Sequence, residues 1–491
     1  MIERNIQLNG NVLSYIPKRV TSWAILTYIA AIICCNMLFM SHALHWQWWF
    51  FGVIEVLGFF YFANRLSKVW FHLKSLHFMQ RIFWMSFCLC VTWVVVSYVL
   101  YQHWTGTVFT FDAADELFYD EVAHYAADVL RKGNWKIYTT VQQYSVAAFS
   151  DMGYPLYLTF VYWIFGDSVV IARLIKAVFV AWTAVLMYNL ASRNFGEQIG
   201  RMTAIMCMLM PNLIYYCSFQ LKEVEMVFLC VLFAERADFL LRKGKLAFIP
   251  TATLMLIPAF MFMIRTALAA VMVMAFFCAL LLSSERVVTW GRRALLLTLA
   301  LTFAGLILTT STSIGHDVTA MWQTRGALQR TNMEWRAGRI DEGGFSNRLV
   351  KYAGASVFAP MIFTIPFPTM TETPGQENQK MIHGGNFVKN ILSFFTIAAL
   401  FMLLFSGDWR KYVLPLAILC GYLLVLVFSN FAHSERFHLP ILPFTLMFAA
   451  YGISKMNEIW WIKKYFLYWC ALMFVACVAW NWFKLAGRGM I

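Results

Sequence analysis

The sequence predicts an all-α polytopic membrane protein, and two observations carry this prediction. The chain is 61% hydrophobic and only 13% charged. It also contains many apolar runs of about 20 residues, the length that a helix needs to span a bilayer. Since most of these runs follow one another with short gaps, we expect a bundle of about 11–13 transmembrane helices with interfacial helices on its outer face.

The apolar runs can be placed in order along the chain. They lie at approximately 22–41, 45–63, 82–101, 169–190, 202–218, 224–241, 246–264, 266–284, 294–313, 389–407, 411–430, 438–454 and 465–482. The first run follows Lys18 and Arg19, is too long for a signal-peptide core and has no small-residue cleavage site. It is therefore expected to be a retained membrane helix.

Loop charges predict the orientation of these runs. The gap 64–81 carries four basic residues and no acid, which is typical of a cytoplasmic loop. The next span leads outwards, so segment 102–152 is predicted outside, and the same alternation places segment 315–388 outside. The 14-residue run 153–166 is short for a full crossing and is interpreted as a re-entrant or interfacial helix.

This orientation divides the chain into five regions. They are N-terminal transmembrane helices (1–101), a first periplasmic loop with acids and the re-entrant helix (102–168), a central transmembrane bundle (169–314), a large periplasmic loop (315–388) and C-terminal transmembrane helices (389–491).

The charge balance and the motifs exclude several classes of function. The net charge of +14 is explained by basic cytoplasmic loops, so no nucleic-acid partner is expected. No phosphate-binding glycine loop of either common type and no HExxH motif occurs. The eleven cysteines all fall in apolar runs and form no CxxC pair, which argues against a disulfide framework or a zinc site.

The strongest candidate for a functional site is a cluster of acids in the first outer segment. Five carboxylates lie within ten positions of one another: Asp112, Asp115, Glu116, Asp120 and Glu121. Carboxylates beside a bilayer are costly and tend to mark a working site, although a solvated helix start would also carry acids. A carboxylate at this position is suited to take a proton from a hydroxyl nucleophile.

Four sequence blocks carry a resemblance to a known family. They are DEVAHYAADVLRKGNW (120–135), GYPLYLTFVYWIFGDSVVIARL (153–174), YNLASRNFG (188–196) and SERFHLPILPF (434–444). In order and spacing they resemble the GT-C glycosyltransferases, in particular the protein O-mannosyltransferases and the aminoarabinose transferase of lipid A. The resemblance covers roughly 110–235 and 430–452.

The resemblance implies a polyprenyl-phosphate sugar as donor, transfer with inversion on the non-cytoplasmic side, and an acid of the first loop at the reacting centre. It matches Asp120 best, with Glu121 beside it. The pair Asp115 and Glu116, followed by Tyr119, fits nearly as well and remains an alternative. Some relatives have a phosphate-binding Lys before Pro-Leu, where this chain has Gly153-Tyr154.

The leaving phosphate needs compensating cations, and four residues are candidates for the donor-binding site. Arg436 lies on the predicted outer side, before a proline-containing span, and suits bidentate phosphate binding. Lys222 and Glu223 lie directly before the predicted span 224–241, at its outer end, and Arg265 lies between two apolar runs. Arg436 is also explained as an interfacial anchor, Lys222 as a snorkelling side chain, and Glu223 as an interfacial acid or a helix-start residue. His433 and His438 are weak evidence for a metal, so no metal ligand is predicted and a divalent metal requirement stays open.

We therefore expect a multi-pass glycosyltransferase of the inner (cytoplasmic) membrane. Its partners would be a polyprenyl-phosphate-linked sugar, membrane lipids and an acceptor that is a glycan, a lipid or a protein. An O-antigen polymerase or ligase is an alternative, since such enzymes rely on outer-loop arginines like Arg325, Arg330, Arg336 and Arg339. A lipid-linked-sugar flippase is a second alternative, but it would favour mid-membrane charges and related halves.

Overall fold

The computed structural model describes residues 13–145, 151–243, 248–282, 298, 361–429 and 434–491. Within these ranges the chain is almost wholly helical, and one antiparallel bridge joins Ala43 to Thr371. Seven helices are long and apolar enough to cross a membrane, and three shorter helices are also apolar. The prediction of an all-α polytopic membrane protein is confirmed.

Three long helices open the described chain: α1 (Lys18–Leu38), α2 (Trp46–Val69) and α3 (Ser75–Thr105). They expose large apolar side chains, for example Met37 at 71% and Val99 at 62%. Such apolar surfaces are costly in water and favourable against lipid tails. The backbone of each helix is hydrogen-bonded internally, so these helices can lie within a bilayer.

Three shorter helices follow α3: α4 (Ala114–Arg131), α5 (Ile137–Ser145) and α6 (Gly153–Phe165). The acid-rich segment therefore forms a helix, and the short apolar run forms another that packs against it. Gly166 ends α6 with a φ of 83°, a backbone conformation that is unfavourable for residues with a Cβ atom. Directly after this turn, Asp167 accepts two hydrogen bonds from Arg131, at 2.9 and 2.8 Å, which ties the ends of α4 and α6 together.

The central helices are α7 (Val169–Phe195), α8 (Glu197–Leu209), α9 (Pro211–Cys217) and α10 (Glu223–Lys243). The predicted single span 202–218 is thus divided between α8 and α9. Pro211 lacks a backbone N–H and cannot continue α8, whereas the first position of a new helix accommodates it.

The remaining described helices are α11 (Phe248–Ile264), α12 (Thr266–Leu282), α13 (Glu377–Met381), α14 (His383–Phe405), α15 (Val413–Ser429), α16 (Glu435–His438), α17 (Leu442–Ser454) and α18 (Trp460–Ala486). The predicted span 294–313 lies outside the described residues, apart from position 298. Most of the predicted outer loop 315–388 is outside them as well.

The long helices form one packed bundle. Helix α7 lies against α3, α8 and α10, while α14 packs on α2 and α17. The α2–α14 contact is close because Gly52 and Gly384 face the partner helix, and a methyl group on Gly52 would overlap His383 and Tyr28. This packing brings the start of α10, the end of α11 and helices α4 and α16 to the same end of the bundle, where the charged side chains meet.

Candidate active site

Helix α4 supplies the acids, and its buried face determines which of them can meet the bundle. That face contains Glu116, Tyr119, Val122, Ala123, Ala126, Ala127 and Leu130. The three- and four-residue spacing is that of one side of an α-helix, and the small alanines allow α6 to pack closely. Asp115 and Glu116 occupy the first turn, where carboxylates complement the helix dipole.

Asp115 lies beside Arg436 of α16. Its Oδ2 atom accepts a hydrogen bond from Arg436 Nη1 at 2.8 Å. The Nε atom of the same guanidinium lies 3.9 Å from Glu223 Oε1 at the start of α10. The Arg436 side chain is 32% exposed and that of Asp115 50% exposed, so both remain accessible to a substrate.

Two more cations adjoin this pair. Lys222 forms an ion pair with Asp151 and donates to the Ile264 carbonyl at 3.1 Å. Arg265 lies 4.6 Å from the centroid of the Phe437 ring, and Arg436 lies 5.0 Å from the same centroid. The Phe437 ring thus holds two guanidinium groups at the same place through cation–π contacts.

The electrostatics of Lys222 follow from its position. Burial lowers the pKa of Lys222, the nearby Asp151 carboxylate raises it, and the Arg265 charge lowers it again. The Oε2 atom of Glu223 is buried and has no hydrogen-bond partner among the described residues. Glu223 also raises the pKa of Lys222, so the cations of the cluster lie among the carboxylates of Asp115, Asp151 and Glu223, and an incoming phosphate would compete with these carboxylates.

Asp120 belongs to a separate network on another side of α4. It accepts a hydrogen bond from the Tyr162 hydroxyl of α6, and its Oδ2 atom lies 3.3 Å from His124 Nδ1. The hydrogen bond to Asp120 raises the pKa of His124 to about 9, although burial acts in the opposite direction. The Tyr162 hydroxyl also accepts from Gln220 Nε2 at 2.8 Å.

Glu116 is 1% exposed and lies beneath these two groups. Its Oε2 atom is 3.7 Å from Arg173 Nη2 on α7 and accepts the Gln220 backbone N–H at 3.0 Å, while Thr110 donates to Oε1. Burial raises the pKa of Glu116, and the Arg173 charge lowers it. These contacts join α4 to α7 and to the loop before α10.

The structure therefore sorts the predicted residues into groups. Those that meet in one polar cluster are Asp115, Lys222, Glu223, Arg265 and Arg436. Asp120 and Glu116 lie in the adjoining network that Tyr162 and Gln220 connect, and Glu121 is exposed on the outer side of α4.

Several residues of this site were not predicted from the sequence. Asp151 pairs with Lys222, and Glu435 accepts a hydrogen bond from the Tyr216 hydroxyl at 3.1 Å. Arg173 carries the buried ion pair with Glu116. A signal existed for Glu435, which directly precedes Arg436, and for Arg173, an arginine inside an apolar run that requires a partner.

Two further expectations concern metal binding and the arginines of the polymerase alternative. Among the residues that the structure describes, no group of three or more His, Cys, Asp or Glu side chains is arranged to hold a metal ion. His438 lies in α16, and His433 lies outside the described residues. The four arginines of the polymerase alternative, Arg325, Arg330, Arg336 and Arg339, are outside them as well.

Comparison with known proteins identifies the kind of enzyme. Residues 381–486 match the model of the Alg9-like mannosyltransferase family, a family of GT-C-type membrane glycosyltransferases. No curated protein and no solved structure matches the chain. The matched segment includes Arg436 and the helices α14 to α18. The match supports the resemblance to GT-C enzymes and indicates a glycosyltransferase.

Proposed function

We propose that this membrane glycosyltransferase transfers a sugar from a polyprenyl-phosphate carrier to an acceptor hydroxyl on the periplasmic face of the inner membrane. The observation that carries the proposal is the contact of Asp115 with Arg436, inside a cluster that also contains Lys222, Arg265 and Glu223. A carboxylate and several cations at one end of a helical bundle provide the two functions that this reaction needs.

The proposed reaction is a single displacement. Asp115 accepts the proton of the acceptor hydroxyl, and the hydroxyl oxygen forms a bond to the anomeric carbon of the donor sugar. The bond from that carbon to the phosphate oxygen breaks, and its electron pair leaves with the lipid phosphate. Because the nucleophile attacks opposite the leaving group, the configuration at the anomeric carbon inverts.

Arg436, Lys222 and Arg265 would stabilise the departing phosphate. Arg436 is suited to this role because a guanidinium contacts two phosphate oxygens at once. Preorganised charges act most strongly where water is excluded, and Lys222 is 6% exposed. We assign Glu223 to holding Arg436 in position, through the 3.9 Å contact to its Nε atom.

Asp120 is the other acid that the family resemblance favours. Its hydrogen bond from Tyr162 and its pairing with His124 direct it towards α6 and away from Arg436. We therefore propose that Asp115 is the base and that Asp120 and Glu116 position α4. Glu121 has no assigned role in this mechanism.

A lipid-linked donor fits the surroundings of the cluster. Helix α6 begins two residues after Asp151, and it exposes Phe160, Ile164 and Phe165 at 43%, 60% and 55%. Exposed apolar side chains of this kind favour contact with hydrocarbon. A polyprenyl chain could lie along such a surface while its phosphate reaches Lys222.

The experiment that tests the proposal is a transfer assay. Purified protein is incubated with a panel of polyprenyl-phosphate and polyprenyl-diphosphate sugars and with lipid, glycan and peptide acceptors, and the products are analysed for linkage and anomeric configuration. Release of the lipid phosphate with inverted configuration supports the proposal. Use of a sugar nucleotide in place of the lipid-linked donor, or retention of configuration, would reject it.

Asp128→Asn is a matched control for Asp115→Asn. Both residues are exposed carboxylates of α4 that pair with an arginine, but Asp128 pairs with Arg131 on the same helix, away from the cluster. Asp115→Asn should lose transfer and Asp128→Asn should keep it.

A further inference from the structure

A short link joins α9 to α10 and carries Lys222, one of the proposed phosphate-binding cations. It comprises residues 218–222, all of which are buried. Because the link is not helical, helix hydrogen bonds do not satisfy all of its peptide groups, and side chains of other helices bind the remainder. The Gln220 N–H donates to Glu116 Oε2 at 3.0 Å, which ties the middle of the link to α4. The precision with which the Lys222 side chain is placed depends on this backbone.

Lys176 of α7 provides a second contact to the link. Its ammonium donates to the carbonyl of Leu221, the residue directly before Lys222. Lys176 is 0% exposed and lies within an apolar helix that is long enough to cross a membrane. A lysine inside a membrane-spanning helix is costly, and such residues commonly have a function. The proposed mechanism assigns none to Lys176.

Glu225 of α10 compensates the charge of Lys176. Its Oε2 atom lies 3.3 Å from the Lys176 ammonium, and its side chain is 5% exposed. The ammonium also lies 4.9 Å from the centroid of the Tyr154 ring. Among the described residues, Lys176 is the only cation that pairs with the Glu225 carboxylate. The pair keeps the buried ammonium charged and directed at the Leu221 carbonyl.

The planarity of the peptide bond transmits this contact to Lys222. The Leu221 carbonyl oxygen and the Lys222 nitrogen belong to one rigid peptide unit, so fixing the oxygen also fixes the bond that enters Lys222. The Lys222 side chain then pairs with Asp151 and donates to the Ile264 carbonyl at 3.1 Å. Precise placement matters here, because a displacement of about 1 Å in an active site can cost about 100-fold in rate.

We propose that Lys176 and Glu225 are positioning residues that hold Lys222 in place for the phosphate of the lipid-linked donor. In this role neither residue contacts the substrate, and both act through the Leu221 carbonyl. The proposal rests on the proposed function, which assigns Lys222 to the departing phosphate. It extends that function to a buried pair between α7 and α10.

Removing both members of the pair tests this role. A single change leaves a buried charge without its partner and destabilises the fold, whereas a whole buried ion pair can often be replaced by apolar residues without loss of stability. Lys176→Met/Glu225→Leu therefore removes the hydrogen bond to Leu221 and leaves no unpaired charge behind.

Arg193→Met/Glu235→Leu is the matched control. Arg193 Nη1 lies 2.8 Å from Glu235 Oε1, and this pair joins the same two helices, α7 and α10. It lies about 25 Å further along α7 than the proposed pair. Asp238 keeps Arg242 as a partner at 3.1 Å, so the control also leaves no buried charge unpaired. A general loosening of α7 from α10 would therefore affect both double variants.

The first measurement follows Lys222 itself and needs no substrate. The full chain is placed in phosphatidylcholine nanodiscs, and the rate at which an amine reagent modifies Lys222 is recorded by mass spectrometry over a pH series. Burial lowers the pKa of Lys222. Once the link is released, the ammonium should gain water, so the modification profile of Lys176→Met/Glu225→Leu should shift to higher pH. The control should keep the original profile. An unchanged profile in Lys176→Met/Glu225→Leu overturns the proposal.

The second measurement is the binding of a polyprenyl monophosphate without sugar, with the corresponding polyprenol as the uncharged comparison. The affinity for the phosphate should fall about two- to tenfold in Lys176→Met/Glu225→Leu, and the affinity for the polyprenol should not change. The fall should be absent when Lys222→Met is already present, because the pair acts through Lys222. A fall of equal size in the Lys222→Met background, or none in the otherwise unmodified chain, contradicts the positioning role.

The comparison of the two lipids separates this proposal from the proposed function. If the unmodified protein binds the polyprenol and the polyprenyl monophosphate equally, the phosphate is not recognised, and the lipid-phosphate donor is rejected together with the role of the pair in binding it. If the phosphate is recognised but removal of the pair has no effect, only the positioning role of Lys176 and Glu225 is rejected.

Discussion

Arg436 Nη1 lies 2.8 Å from Asp115 Oδ2 and joins two residues that are 321 positions apart in the chain. In the proposed reaction this contact couples the two substrates. A donor phosphate competes for the guanidinium, and an Asp115 carboxylate released from Arg436 is available to accept a hydrogen bond from the acceptor hydroxyl. Proton removal would thus depend on a bound donor.

The first prediction distinguishes the two acids that the sequence left as alternatives. Asp115→Asn keeps the size and removes the base, so kcat should fall about 10²–10⁴-fold. Asp120→Asn should retain most activity, because Asp120 faces Tyr162 and His124. Steady-state transfer rates of the two folded variants provide the measurement. The reverse order, with Asp120→Asn inactive and Asp115→Asn active, would assign the base to Asp120.

The second prediction concerns the leaving phosphate. Arg436→Lys keeps the charge and loses the two-pronged contact, so it should weaken donor binding, and Arg436→Ala should weaken it further. Loss of a hydrogen bond to a charged group corresponds to about a 10- to 150-fold fall in affinity. Donor titrations test this order, and the acceptor KM should change little. Arg410→Ala, an exposed arginine in the turn after α14, is the control. Unchanged donor affinity in Arg436→Ala would return Arg436 to the role of an interfacial anchor.

The third prediction concerns the buried pair of Glu116 and Arg173. Replacing one partner leaves a buried group without its counter-charge, so Arg173→Met or Glu116→Leu should cost about 3–5 kcal/mol of stability. The double variant should lose less than the sum of the single losses, since no charge remains unpaired. Denaturation of all four proteins in the same detergent closes the double-mutant cycle. Additive losses would show that the two side chains do not stabilise each other.

The fourth prediction concerns the titration of His124. Asp120 raises its pKa from the ordinary 6.5 to about 9. A raised histidine pKa contributes stability that is fully present below about pH 6.5 and is lost as the pH rises through about 9. Asp167 adds to the upward shift, and the Tyr162 ring lies 4.5 Å away, centroid to centroid. NMR titration of the imidazole should show this pKa, and Asp120→Asn should lower it. A midpoint near 6.5 in the unmodified protein would contradict the pairing.

The fifth prediction concerns the side of the membrane. Single cysteines at Gln142 and Pro374, both exposed, should react with an impermeant thiol reagent from outside, in a chain whose eleven cysteines have been replaced. A cysteine at Arg65, also exposed, should react only after permeabilisation. Gln376 is 1% exposed and unsuited as a probe. Labelling of the Arg65 cysteine from outside, or protection of the Gln142 cysteine, would show the opposite topology and place the site on the cytoplasmic side.

The sequence by itself determined the class of the protein, the helical nature of its segments and the residue types of the site. These are local properties, because the length of an apolar run and the charges beside it do not depend on distant contacts. Lys222, Glu223, Arg265 and Arg436 were selected for this reason. The break between α8 and α9 at Pro211 also has a local cause, the missing backbone N–H. It was not predicted because residues 202–218 form one continuous apolar run.

Only the tertiary structure decided which acid faces the cations. Asp115 and Asp120 are five positions apart, which separates their side chains by about 140° around α4. The side of α4 that packs on α6 and meets Arg173 of α7 determines the side that meets α16, and Glu116, Tyr119 and Ala123 belong to that packed face. This choice does not depend on residues near Asp115 in sequence, and so it could not be predicted from the sequence.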